Sequence, residues 1–280
     1  MEYIITESIW EQFRQAMKEQ EKSAATQAKY VNDLRCFCRY LGSERTVTKE
    51  TVIAYKEYLA ENYAKTSANS MLAAINYFFS VVGWLDCKVR MFKLQREIFR
   101  ASEKNLTKQE YFRLLETAKQ QKNERLYLLM QTICGTGIRV SELQFITVEA
   151  LRTQRAAVSL KGKSRIVLIP KKLCQKLKAY AKRQGILRGS VFVTKSGKPM
   201  DRSNIAHEMK RLCTAAGVAE EKVFPHNLRH LFAVTFYQKE GDLCYLADIL
   251  GHANINTTRI YTRVSCEEQG RRLERLGLVS

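Results

Sequence analysis

Apolar positions in residues 1–95 recur every three or four places, the spacing that puts side chains on one face of a helix. Ile9, Phe13, Ala16 and Met17 form the first stripe, with Thr6 placed to cap it. A second helix opens near Ser23–Thr26, turns Tyr30, Leu34, Phe37 and Leu41 inward, and stops at Gly42. Thr48 opens a third, bearing Ile53, Tyr55, Tyr58 and Leu59. A fourth spans Thr66–Val82 with Met71, Leu72, Ile75, Phe78 and Phe79 on one face and Gly83 after it. These amphipathic helices with short links predict a small four-helix bundle and no strand. Its exposed positions include Lys29, Arg35, Arg39, Lys49, Lys56, Lys65, Ser67 and Asn69. Taken singly each is an ordinary solvated side chain. Together they make a phosphate-contacting surface, centred on Lys65, Ser67 and Asn69 where the fourth helix begins.

From Lys88 the helical pattern lapses into the basic run KVRMFKLQREIFRASEKN, and residues 96–105 read as a linker. A bundle strapped in this way to a second domain is a plan that closes around a duplex. The second domain, 106–280, mixes helices with one β signal. Thr107 and Glu110 make a capping box, and Leu126 to Cys134 is a helix ending at Gly135-Thr-Gly137. Ala156 to Leu160 and Arg165 to Ile169 are β-rich runs around a Lys161-Gly-Lys-Ser164 tip, a hairpin pattern, and Val191-Phe-Val193 reads as a third short strand. Lys171 to Gln184 and Ser203 to Ala216 are helices, the latter exposing Arg202, Lys210 and Arg211 as further candidate phosphate contacts. The expected fold is mainly α with a small β-sheet: a helical bundle followed by a mixed α+β domain.

The densest chemistry lies in PHNLRHLFAVTFYQKEGDLCYLADILGHANINTTRIY, Pro225 to Tyr261. Pro225 suits the first helical position, and His226, Arg229 and His230 then share one helix face. Leu243, Leu246, Ile249 and Leu250 mark a second helix, which Gly251 ends, leaving His252 just beyond a terminus and nine residues before Tyr261. Upstream, Gly135-Thr-Gly-Ile-Arg-Val-Ser-Glu-Leu143 places Arg139 at the start of another helix. This H-x-x-R-H, L-G-H and tyrosine spacing, with the Arg139 stretch, resembles the tyrosine recombinase (phage integrase) family. The resemblance is strongest from about Leu106 to Arg263, and its Xer-like two-domain members share the plan.

Composition narrows the partner. Forty-seven Lys and Arg against twenty-eight Asp and Glu give a net charge of +19, which a polyanion such as double-stranded DNA would offset. No apolar run approaches a membrane span, and the acids of MEYIITESIWEQF exclude a secretory leader, so a cytoplasmic protein without membrane contact is expected. Eight scattered cysteines complete no zinc set and read as reduced thiols.

A phenol is a poor nucleophile at neutral pH, so Tyr261 needs cations around it to attack a phosphodiester. Two guanidinium forks, Arg139 and Arg229, could clamp one phosphate and stabilise a five-coordinate transition state. For Arg139 the plainer alternative is an ion pair with Glu142, which otherwise serves as its orienter. His226 is the candidate base or relay for Tyr261 and His252 a neutral donor to a non-bridging oxygen. His230 reads as a brace for its helix and stays off the catalytic set. The family resemblance puts a general-acid lysine in a K-G-x-x-R-like hairpin. Here the stretch is KGKSR, one residue tighter than the family's commoner form, and the role falls to Lys161 with Lys163 as rival. No acidic pair stands where a metal would be held, so no metal or other cofactor is expected.

The resemblance implies site-specific cleavage and rejoining of DNA through a 3′-phosphotyrosyl intermediate, without metal or ATP, by a tetramer on DNA. The tail after Tyr261, read as an amphipathic helix through Arg271 to Leu276, is expected to exchange between subunits. A type IB topoisomerase-like enzyme and a non-catalytic DNA-binding protein are the alternatives.

Overall fold

The computed structural model describes residues 1–94, 105–160, 163–252, 254–261 and 274, with Leu160 and Lys163 described in their backbone only. The chain divides into two compact units, Met1–Arg96 and Glu97–Ser280. No helix among the described residues is long and apolar enough to cross a membrane.

The first unit contains helices α1 (Glu7–Glu19), α2 (Ala24–Leu41), α3 (Lys49–Asn62) and α4 (Lys65–Val82), with a 3-10 turn at Leu85–Cys87. Thr6, Ser23 and Thr48 cap the first three through their hydroxyls, as side chains that satisfy orphan N–H groups should. The aromatic core joins the helices: Phe13 meets Phe78 at 5.3 Å, and Phe37 meets Tyr55 at 4.8 Å, between ring centroids.

The expectation of helices only is corrected by a strand pair, β1 (Tyr3–Ile4) antiparallel to β2 (Thr46–Val47). Two residues are too few to show a period, but the pair brings Ile5 and Val47 into the core. On α3 the buried stripe is Val52, Tyr55 and Leu59, while Ile53 and Tyr58 are exposed.

The Asn69 amide donates to the Phe92 carbonyl at 2.9 Å and accepts the Phe92 N–H at 2.8 Å, so it holds its own chain. Asn76, two turns on, does the same for Val89. Lys49 donates to the Lys88 carbonyl, and Lys56 lies 4.9 Å from the Phe92 ring. The start of the basic run is thereby fastened along α4, while Lys65 and Ser67 remain exposed. Of the residues read as the linker, only Asn105 is described.

In the second unit, α5 (Lys108–Gln120), with its Thr107–Glu110 capping box, packs on α6 (Glu124–Thr136). There follow a 3-10 helix at Val140–Phe145, α7 (Val148–Thr153), a hairpin of β3 (Arg155–Leu160) and β4 (Lys163–Leu168), and α8 (Lys171–Arg183). Then come α9 (Arg202–Lys210), α10 (Cys213–Ala216), α11 (Pro225–Glu240) and α12 (Leu243–Leu250), with 3-10 turns at Ile255–Thr257 and Arg259–Tyr261. The buried residues Leu126, Leu129, Met130 and Ile133 of α6 form the centre of the core, with Leu114, Leu177 and Leu228 around them.

Three expectations change here. β4 begins at Lys163, which pairs with Leu160, so the hairpin is tighter than the four-residue tip expected. Val193 makes a lone bridge to Pro199 in place of a strand. The helix expected over Ser203–Ala216 breaks at Arg211-Leu212. Both residues keep right-handed backbone angles, so the apolar face of Ile205, Met209 and Cys213 continues across the break and the pattern conceals it.

Candidate active site

Two helix ends form the frame. α6 closes at Gly137 with φ +65°, and α12 closes at Gly251 with φ +62°, the left-handed conformation that glycine adopts freely. Glycine is required at both for space as well: a Cβ on Gly137 would lie 2.5 Å from the Phe232 ring, and one on Gly251 2.4 Å from Arg165 Cδ. The last carbonyls of each helix have no partner within the helix and carry partial negative charge. Arginines meet them.

Arg229, in the second turn of α11 and only 3% exposed, donates from Nη1 to the Gly137 carbonyl at 2.5 Å and from Nη2 to the Leu250 carbonyl at 2.8 Å. Burial, then the charge of Arg139, pull its pKa down to about 10, so it stays a cation at neutral pH. Arg139 precedes a 3-10 helix rather than an α-helix. It donates to Glu142 Oε1 at 2.8 Å and to the Gly251 carbonyl at 3.1 Å. The ion pair with Glu142 and a place in the cluster thus coexist, and the Arg139 side chain keeps 38% of its surface open.

The side chain the sequence reading passed over is Arg165, on β4. It donates to Glu142 Oε2 at 2.6 Å and to the Ile249 carbonyl. Glu142, 3% exposed, therefore serves two guanidiniums and the Arg139 backbone N–H. Burial raises its pKa, but the bonds from Arg165 and Arg139 outweigh that and hold the carboxyl below its ordinary range. The signal that marks Arg165 is the arginine closing KGKSR; its partners, lying far away in sequence, are not visible there.

His252 lies between this cluster and the tyrosine. Nε2 is 2.9 Å from Arg229 Nη2, and Nδ1 is 2.9 Å from Thr258 Oγ1. Burial, then Arg229, Arg139, Arg165 and His226, lower its pKa to about 4. The ring is neutral as expected. A guanidinium only donates, so in this state Nε2 is an acceptor, and the expected donation to a phosphate oxygen calls for the other tautomer.

Tyr261 is 3% exposed, its ring 6.2 Å from that of His252 and 5.1 Å from that of His230. His230 thus packs against the Tyr261 ring. His226 is exposed on the first turn of α11, close enough for its charge to act on His252. Lys161 lies outside the described residues, as does the side chain of Lys163. So do the tail residues after Tyr261 apart from Glu274. Arg202, Lys210 and Arg211 are exposed at the two ends of α9, with Lys210 2.7 Å from Glu220. Among the described residues no hydrogen bond joins them to the arginine cluster.

The histidine and the carboxylate together predict acid sensitivity. An unfolded histidine takes up its proton near pH 6.5 and His252 only near 4, so folding stability falls as pH drops through that window. Glu142, its pKa depressed, loses its contribution at still lower pH. The melting temperature should decline from pH 6.5 towards 4, and His252→Gln should flatten that decline. A variant as acid-sensitive as the parent over this window would contradict the assignment.

Comparison with known proteins gives a consistent pattern. The model of the family described as "Phage integrase family" matches residues 104–268, and that of "Phage integrase, N-terminal SAM-like domain" matches 10–84. Tyrosine recombinase XerA of Thermococcus kodakarensis is 29% identical over 280 residues, covering 97% of this chain and 96% of its own. Tyrosine recombinase XerD of Brucella suis is 32% identical over 237 residues, covering 73% and 74%. Among solved structures, XerA recombinase aligns at 25% identity and TM-score 0.53 over 99% of this chain and 100% of that one. A lambda integrase dimer bound to a core site aligns at 16% identity and TM-score 0.74 over 91% and 94%, a likeness of fold alone.

Proposed function

The chain belongs to the phage integrase family, and on that premise we propose that its arginine cluster is the catalytic centre of a site-specific tyrosine recombinase. The observation that carries the reading is the convergence of Arg139, Arg165 and Arg229 on one carboxylate and two helix ends beside His252 and Tyr261.

The Tyr261 oxygen attacks the phosphorus of a DNA strand, giving up its proton to His226. The 5′-oxygen leaves with a proton from Lys161, and the phosphate stays on the tyrosine as a 3′ ester. A second 5′-hydroxyl reverses the steps and reseals the strand. Arg139 and Arg229 offset the charge on the non-bridging oxygens, and Arg165 with Glu142 fixes the Arg139 fork. Three guanidiniums, always charged, supply this stabilisation from the chain's own residues, so neither a metal nor ATP is required.

Double-stranded DNA is the partner. Lys65 and Ser67 on the helical domain 1–95, and Arg202, Lys210 and Arg211 on the domain 106–280, are its proposed backbone contacts, with 96–105 as the linker. Assembly as a tetramer on DNA, with tails exchanged between subunits, completes the reading. Truncation after Arg263 should then leave duplex affinity intact and abolish recombination, read by gel shift and by product formation. Recombination at the parent's rate would remove the tail from the mechanism.

The direct test of the chemistry is covalent capture. The protein is incubated with nicked duplexes without divalent metal and denatured in detergent. A protein band carrying DNA supports the assignment, and its absence alongside intact duplex binding overturns it.

A further inference from the structure

Thr258 stands where two parts of the site meet. It is fully buried. Its Oγ1 is the partner of His252 Nδ1 at 2.9 Å, and its backbone carbonyl accepts the N–H of Tyr261 at 2.9 Å. Across the imidazole, Arg229 Nη2 donates to Nε2. Nε2 is therefore unprotonated, and the one proton of the neutral ring sits on Nδ1 and is given to Thr258 Oγ1. In this form His252 offers no N–H on the side of the arginines. A hydroxyl differs from other partners of a ring nitrogen because it accepts or donates after rotation about one bond. A backbone carbonyl in its place would hold Nδ1–H permanently.

We infer that Thr258 is a positioning residue that holds the His252 ring through Nδ1 in either tautomer, the group at Nε2 deciding which. It accepts from Nδ1–H while Arg229 occupies Nε2. It donates to Nδ1 once a phosphate draws Arg229 away, which leaves Nε2–H to donate to the phosphate oxygen. The exchange conserves charge: Nδ1 gives its proton to water, Nε2 takes one from water, and the hydroxyl hydrogen turns onto Nδ1. Arg229, Arg139, Arg165 and His226 all face the ring and oppose a second proton on it, so the ring changes by exchange and not by net protonation. Because the carbonyl of the same residue holds the N–H of Tyr261, the seat of the nucleophile and the polarity of His252 are tied together. The inference rests on the proposed contact between His252 and the phosphate, but its first readout needs no DNA.

The chain has four histidines, so full-length protein labelled with nitrogen-15 at histidine gives a spectrum in which His252 is identified by its loss in His252→Gln. Two-bond nitrogen–proton correlations separate the tautomers. The free protein should show Nδ1–H at His252 with a slowly exchanging proton; Thr258→Val should keep that tautomer, which Arg229 fixes at Nε2, but should lose the slow exchange, and Thr258→Ser should restore it. On nicked duplex, Thr258→Val should cleave about tenfold more slowly, the size of one net hydrogen bond, with unchanged duplex affinity and with the rate recovered in Thr258→Ser. Valine matches threonine in shape, so the fold is retained. An Nε2–H form in the free protein, an Nδ1–H exchange rate indifferent to Thr258→Val, or a loss of rate that only parallels a loss of duplex affinity overturns the inference. If the parent protein cleaves no duplex while the exchange of Nδ1–H follows Thr258 as described, the recombinase chemistry falls and the role of Thr258 in holding the ring stands.

Discussion

Tyr261→Phe should abolish covalent capture on nicked duplex while leaving non-covalent affinity within about twofold, since phosphate contacts made elsewhere supply most of that affinity. The substitution removes one oxygen and nothing else. The ring keeps its packing against His230 and His252, at 5.1 and 6.2 Å between centroids, so the protein should melt close to the parent. No neighbouring group replaces the hydroxyl: His252, His230 and the arginines can donate or accept protons but do not form a stable phosphate ester that survives denaturation. Detergent gels of labelled duplex with both proteins give the result directly. Residual capture by the phenylalanine protein would place the nucleophile elsewhere, with Thr257 and Tyr245 the first residues to examine. Equal relaxation or recombination by the two proteins would end the case for tyrosine chemistry altogether.

Arg229→Ala should be nearly as severe and should differ in kind, because on the proposed mechanism Arg229 serves the phosphate as well as the fold. It is the donor to the Gly137 and Leu250 carbonyls at the ends of α6 and α12. Losing it leaves two carbonyls without that donor, a cost of about 1–3 kcal/mol for each that stays dry. It also removes the Nε2 partner of His252. On the catalytic side, deleting one preorganised donor to a transition-state oxyanion costs about a hundredfold to a thousandfold in rate. Arg229→Lys separates the two effects. It retains a cation in the pocket but not a fork that reaches both helix ends. It should therefore recover part of the rate and little of the stability. Single-turnover cleavage and thermal melting measure the two quantities independently. A lysine variant that restores both would mean that charge alone, without the fork, builds the site.

The helices were legible because their information is local. Thr6, Ser23, Thr48 and Thr107 announce helix starts that their own neighbours complete, and Gly83, Gly137 and Gly251 announce the ends. Where the local signal was short or continuous it misled. The β1–β2 pair is two residues deep, and the α9–α10 break leaves the apolar face unbroken. Asn69 illustrates a use that the sequence does not show. An amide at an exposed-looking helix position is as well suited to phosphate as to backbone, and only the return of Phe92 alongside α4 settles its use.

The sequence by itself determined the partition into a helical first part and a mixed second part, the basic charge, and the arginine, histidine and tyrosine positions set by spacing along two helices. Tertiary structure alone decided how those side chains are employed. Arg165 joins the cluster through Glu142 and Ile249, which lie 23 and 84 positions away along the chain. His252 becomes an acceptor because Arg229, 23 positions earlier, reaches its Nε2. The physical reason is common to both cases. The partners that fix the arginines are mostly backbone carbonyls at Gly137, Ile249, Leu250 and Gly251. A carbonyl is the same at every residue, so no pattern of side chains reveals which one a guanidinium will find until the chain has folded.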